Sequence, residues 1–272
     1  SVLEPIEYLV ENFGFEVTVL QPYDQEITAK QVKDALRDDT ILVSTMYVNN
    51  ETGTILPITE IGEVVRNHSA VYHVDAVQAV GKLTIKSEEL GIDFLSASGH
   101  KFHGPKGVGF LYASTMDFDS YIHGGDQEYK KRAGTENLPA IVGMVAAFKE
   151  ELSKQTENYQ TVQRLQDLFL TKISSLNYYI NHGKEQLPYV LNLGFPGQKN
   201  DLLLLRMDLA GISISTGSAC TAGIVQTSHV LKAFYGNGSH RLHESIRISL
   251  SPQNTDEEII QLVNTLKEII GD

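Results

Sequence analysis

Three segments in succession decide the fold: Ile41-Leu42-Val43-Ser44-Thr45, then Ile58-Thr59-Glu60-Ile61-Gly62-Glu63-Val64-Val65-Arg66-Asn67, then Ala70-Val71-Tyr72-His73-Val74. The first and third are apolar runs of strand length. The middle one follows Pro57 and repeats its apolar residues at helical spacing. Strand, helix and strand of these lengths make a βαβ unit, which implies parallel strands. Working outward, Val2–Asn12 reads as an amphipathic helix leading into a strand over Glu16–Leu20. Thr28 with Gln31 forms a capping box for a helix ending near Leu36. A short strand Phe94–Ser96 and a strand Val108–Tyr112 follow. The expected class is α/β, with a mainly parallel sheet and helices on both faces.

Downstream the pattern changes. Ile141, Val145, Phe148 and Leu152, then Val162, Leu165, Phe169 and Ile173, keep one helical period. The spacing predicts a long connecting helix over about 138–175, joining a large domain (1–145) to a smaller α+β domain (146–272). In the second part the reading places a strand at Tyr189–Leu193, a helix at Asp201–Leu209 and a strand near Ile212–Ser215. A helix at Val225–Phe234, a strand at Ser245–Leu250 and a last helix capped by Thr255 with Glu258 complete it.

Composition narrows the function classes. The chain has 272 residues, 42% of them hydrophobic and 21% charged, which excludes global disorder. No apolar run reaches the ~18 residues of a membrane helix. A net charge of −12 disfavours a broad nucleic-acid surface. The only cysteine, Cys220, allows no intramolecular disulfide, which suits a reducing cytoplasm. The chain opens on Ser1 inside a helical pattern, so a piece of a longer protein is expected.

Five segments carry chemistry. Ser96-Ala97-Ser98-Gly99-His100-Lys101-Phe102-His103-Gly104 follows a strand, at the edge where open α/β sheets bind ligands. Its glycines and hydroxyls suit a phosphate, and Lys101 there is either an amine nucleophile toward a carbonyl or a solvated loop lysine. His100 and His103 lack a carboxylate or thiol set, so no metal is assigned. Asp75, in His73-Val74-Asp75-Ala76-Val77-Gln78, ends an apolar strand, as a helix N-cap or as the partner of a cationic ring nitrogen. Val48-Asn49-Asn50-Glu51-Thr52-Gly53 also follows a strand and reads alone as a turn. Three polar clusters on one sheet edge are a stronger signal than any one of them. Cys220 lies in a small-residue stretch, Ser213–Gly223, as an exposed nucleophilic thiol or a bystander. Arg247 alternates with Ile246 and Ile248, placed to grip a carboxylate or to form a surface ion pair.

Together these motifs, with Arg132-Ala133-Gly134-Thr135-Glu136-Asn137, resemble a cysteine desulfurase of the NifS/IscS type. That family belongs to the class-V aminotransferases, with the PLP-dependent transferase (aspartate aminotransferase-like) fold. The resemblance runs from Val2 to the final helix. It implies pyridoxal 5'-phosphate as cofactor, carried on Lys101. It implies Asp75 on the pyridine nitrogen, Gln78 on the ring hydroxyl, and Ser98 and His100 on the phosphate. Thr135 would reach the phosphate of a partner subunit, so a homodimer is implied. Asn50 and Arg247 would bind the carboxylate of L-cysteine, and Cys220 would accept its sulfur as a persulfide, leaving L-alanine. The sulfur would pass to an acceptor protein, an iron–sulfur scaffold or a tRNA-thiolation enzyme. An aminotransferase, a selenocysteine lyase and a non-catalytic sulfur-transfer scaffold are the alternatives. The resemblance further implies a segment ahead of Ser1 with phosphate and ring contacts, so this polypeptide alone is expected to bind the cofactor poorly or not at all and to be inactive, the function belonging to the longer protein. Asp126, in His123-Gly124-Gly125-Asp126, stands where the family commonly has glycine, which raises the question of loop geometry there.

Overall fold

The computed structural model describes residues 2–217 and 227–271. Its first part runs α1 (Leu3–Phe13), α2 (Ala29–Ala35), β1 (Leu42–Met46), α3 (Ile58–Arg66), β2 (Val71–Asp75), β3 (Phe94–Ser98) and β4 (Gly109–Ala113). The strands form one sheet in the order β1-β2-β3-β4, the first two pairings parallel and the last antiparallel. On β2 the side chains alternate as strand geometry requires. Tyr72 and Val74 are fully buried on one face, while His73 and Asp75 are half-buried on the other. Because β1, β2 and β3 are parallel, their ends at Met46, Asp75 and Ser98 share one edge. The three polar clusters therefore lie side by side there.

The second part comprises α4 (Leu138–Lys172), β5 (Tyr179–Ile180), β6 (Val190–Gly194), α5 (Asn200–Leu209), α6 (His229–Tyr235), α7 (Arg241–Glu244), β7 (Ser245–Ser249) and α8 (Asp256–Ile270). Its strands form an antiparallel sheet, β5-β6-β7. Both capping boxes are present: Thr28 accepts from the Gln31 backbone and Thr255 from that of Glu258, each with the reciprocal side-chain contact. Among the described residues no helix is long and apolar enough to cross a membrane.

Four local expectations are corrected. Glu16–Leu20 is not a strand; Phe15, Val17 and Val19 are exposed, and no strand among the described residues gives them a ladder. Ile212–Ser215 is reduced to a single bridge between Ser215 and Arg247. The helix expected from Val225 begins at His229, because Ser228 caps it by accepting from the Leu231 N–H; residues 218–226 lie outside the described residues. In α4, Val145 and Leu152 are exposed, and the inward stripe runs through Met144, Phe148, Glu151 and Asn158 instead. That stripe turns polar where it passes the site described next. Asp126 has φ −86°, so glycine is not required there; the left-handed residues of the loop are Glu128, Tyr129 and Lys130.

Candidate active site

Each parallel strand delivers its cluster to the shared edge in a different way. After β3 the chain enters a single 3-10 turn, Gly99–Phe102, which Phe102 anchors by full burial. The turn leaves Lys101 half-buried beside exposed His100. Ser98 Oγ lies 2.8 Å from His100 Nδ1. Burial, with Lys101 and Lys106 nearby, holds the His100 ring below its ordinary pKa. A neutral ring can accept the Ser98 hydroxyl proton, leaving its other nitrogen free to donate.

After β2, Asp75 Oδ1 accepts from the Val77 N–H at 3.1 Å, so the carboxylate does begin the following turn. That bond leaves Oδ2 available for a second partner. On the same face, His73 bridges three strands: Nδ1 lies 2.8 Å from Ser44 Oγ and Nε2 2.9 Å from Ser96 Oγ. Burial lowers the His73 pKa, and Asp75 opposes this more weakly.

After β1 the turn Asn49–Gly53 is rigid. Asn49 Oδ1 accepts from the N–H groups of Glu51 and Thr52 at 2.9 and 3.0 Å. Gly53 has φ +73°, and a Cβ there would lie 2.7 Å from the Val190 carbonyl oxygen, so β6 seats directly on the turn. Asn192, on β6, donates to the Glu51 carbonyl at 3.1 Å. Arg247, on β7, donates to the Asn50 carbonyl at 3.0 Å. Glu51 itself is fully buried; its Oε2 accepts from the Ser228 hydroxyl, and its Oε1 has no hydrogen-bond partner among the described residues. An unsatisfied buried polar atom costs about 1–3 kcal/mol, so such an atom calls for an explanation.

A cleft of about 210 Å³ lies between the two sheets' elements. Six residues singled out from the sequence line it: Asn50, Gln78, His100, Lys101, His103 and Arg247. Asp75 and Ser98 stand beside it on the strand ends without lining it. Thr135 is exposed and outside it. Cys220 lies outside the described residues.

The cleft also contains residues that the sequence did not announce. Lys82 extends over the Tyr189 ring, 5.4 Å from its centroid, and desolvation and the nearby Lys101 depress its pKa to about 8, against a weaker opposing pull from Glu151. Glu151 Oε2 accepts from Asn158 at 3.2 Å, and its Oε1 lies 3.6 Å from His103 Nε2. Among the described residues the buried Tyr189 hydroxyl has no hydrogen-bond partner, and burial pushes its pKa up to about 12. The signal for Lys82 was its spacing: it sits four residues after Gln78, and its ammonium donates to the Gln78 carbonyl at 3.4 Å. In a chain of net charge −12, a cleft with Lys82, Lys101 and Arg247 against one carboxylate is locally cationic. It is suited to anionic groups.

The family profile described as "Aminotransferase class-V" matches residues 1–262. The "Putative cysteine desulfurase IscS 1" of Bacillus subtilis (strain 168) is 47% identical over 276 residues, covering 99% of this chain and 72% of that protein. A solved "NIFS-LIKE PROTEIN" superposes with a TM-score of 0.90 at 33% identity, over 99% of this chain and 72% of that one. The structure titled "SspA in complex with cysteine" has a TM-score of 0.78 at 35% identity, over 93% of this chain and 71% of that one. The chain belongs to the class-V aminotransferase family, among the cysteine desulfurases of the NifS/IscS type.

Proposed function

We propose that the cleft is the active site of a pyridoxal 5'-phosphate-dependent cysteine desulfurase, which takes L-cysteine to L-alanine and moves its sulfur to Cys220. The observation that carries this reading is that Lys101, Gln78, His100, Asn50 and Arg247, from four separate segments, line one cleft. The donor set fits the cofactor by its chemistry. Lys101 offers an amine to its aldehyde, Asp75 Oδ2 a charge to its ring nitrogen, Gln78 an amide to its ring hydroxyl, and the Ser98–His100 pair donors to its phosphate. Bound there, the cofactor supplies an electron sink for loss of an amino acid's Cα proton.

The chain's own residues supply the rest. Arg247 and Asn50 hold the substrate carboxylate and so fix which Cα bond faces the site. Lys101 Nζ, an amine in a cleft already crowded by Lys82, takes the Cα proton and returns it. The Cys220 thiolate attacks the sulfur of the substrate. A new S–S bond forms, the C–S bond breaks with its electron pair passing to carbon, and protonation of that carbon completes alanine. Exposed Thr135 supports a homodimer in which it reaches the partner's phosphate. The sulfur acceptor is an iron–sulfur scaffold or a tRNA-thiolation protein. A single cysteine, which can form no intramolecular disulfide, suits a cytoplasmic setting.

The test is reductive trapping. The chain is incubated with saturating pyridoxal phosphate, reduced with borohydride and mapped by mass spectrometry. A label that prefers Lys101 and is absent from Lys101→Ala is expected, and the saturating cofactor offsets weak binding by this polypeptide alone. Label spread over surface lysines, with none preferring Lys101, overturns the assignment. Alanine release from L-cysteine that survives Cys220→Ala would favour a lyase without a sulfur-accepting thiol.

A further inference from the structure

Glu51 is a fully buried carboxylate at the tip of the turn that carries Asn50. No step proposed above uses it. Its surroundings on the far side of the turn are specific. Ser228, itself buried, donates its hydroxyl to Glu51 Oε2 while accepting from the Leu231 N–H at the start of α6. Gly217 stands against the same oxygen: a Cβ on Gly217 would be 3.7 Å from Glu51 Oε2 and 3.5 Å from Ser228 Cβ. His229 Nδ1 lies 3.8 Å from Glu51 Oε1, the oxygen that has no hydrogen bond among the described residues.

Gly217 and Ser228 are the flanks of the stretch that contains Cys220. They meet at one side chain, and that side chain adjoins the residue proposed to hold the substrate carboxylate. The upstream flank has a second tie, because Ser215 exchanges backbone hydrogen bonds with Arg247 at 2.6 and 3.0 Å. One turn thus touches the carboxylate-binding pair on one side and both ends of the cysteine segment on the other.

We propose that Glu51 is a positioning residue for sulfur transfer, holding the two flanks of the Cys220 segment against the turn that presents Asn50. A carboxylate suits the task. Oε2 accepts the Ser228 hydroxyl and Oε1 faces His229 Nδ1 at 3.8 Å, so α6 and the turn meet at both oxygens of one side chain. A neutral apolar side chain of the same size would fill the space and join nothing.

The inference rests on Cys220 as the sulfur acceptor, and its test needs neither cofactor nor substrate. Cys220 is the only cysteine, so alkylation by iodoacetamide reports on it alone. Rates are taken from about pH 6 to pH 10, to separate the thiol pKa from the plateau set by access. Ser228→Ala and Glu51→Leu are each expected to raise the plateau rate about threefold or more, the low end of coupling between residues in contact. The double variant should go no further than the larger single effect. Ser228→Thr, which keeps a hydroxyl and a helix cap, should behave as wild type.

Unchanged rates in folded Ser228→Ala overturn the proposal, as does a double variant whose effects multiply or a Ser228→Thr chain that matches Ser228→Ala. If Glu51→Leu does not fold, the Ser228→Ala and Ser228→Thr pair decides. Failure of Lys101 to label would sink the cofactor assignment and leave these rates as they stand, so the two readings fail separately.

Discussion

Arg247 and Asn50 are 197 residues apart in sequence, yet Arg247 Nη1 donates to the Asn50 carbonyl oxygen at 3.0 Å. The contact joins the edge of the parallel sheet to β7 of the antiparallel one. One guanidinium nitrogen holds the turn, and a guanidinium carries its five N–H donors in a fixed planar fork. A lysine offers no such fork, because its ammonium is a compact charge without a second fixed arm. Arg247→Lys is therefore expected to weaken substrate binding at least about tenfold, roughly the loss of one charge-assisted hydrogen bond. The check is the concentration of L-cysteine that perturbs the spectrum of the cofactor-loaded chain. Binding within twofold of wild type would show that Arg247 serves the turn alone.

His73 gives a pH prediction whose sign is fixed by its setting. The ring joins Ser44 to Ser96 across three strands, and burial lowers its pKa from 6.5. The unfolded chain therefore binds more protons than the folded one below about pH 6.5. The contribution of His73 to stability is complete above that pH and is lost as pH falls toward the folded-state pKa. Ring ¹⁵N shifts followed from pH 7.5 downward should show His73 still mostly neutral at its ordinary pKa of 6.5. A His73 half-protonated at or above that pH contradicts the expectation.

Much of this was legible in the sequence, because local chemistry and tertiary outcome coincide at those points. Thr28 and Gln31, like Thr255 and Glu258, are three residues apart and need no distant partner to form a capping box. The polar clusters after β1, β2 and β3 share an edge because parallel strands must end on one side. What was not legible depended on neighbours distant in sequence. Val17 and Val19 alternate as strand residues do, and among the described residues no ladder meets them. Val145 and Leu152 keep the helical period and still face outward, because the inward stripe is claimed by Met144, Phe148 and Glu151. Glu51 looked like a turn residue. Only the arrival of Ser228 from 177 residues away makes it a buried anchor.

Lys82 offers the sharpest stability test, because two opposing effects can be ranked. Its ammonium over the Tyr189 ring gains about 0.5–2 kcal/mol as a cation–π contact. Desolvation and the neighbouring Lys101 act the other way and lower the pKa from 10.5 to about 8, which at about 1.4 kcal/mol per pKa unit exceeds the ring contact. Between those two values the unfolded chain binds more protons than the folded one, so stability rises with pH across that window. Below about pH 8 the full penalty of a buried ammonium applies. Lys82→Met keeps the length of the stem and removes the charge. It is expected to raise Tm at pH 7 by about 2 °C or more. The gain should shrink as pH passes from 8 toward 10.5, because the wild-type lysine is then neutral in the fold as well. Thermal melts of both chains at pH 7 and pH 10 make the comparison. A variant less stable at pH 7 would mean that the ring contact and the donation to Gln78 outweigh desolvation. A gain that does not change with pH would place its origin in packing, not charge.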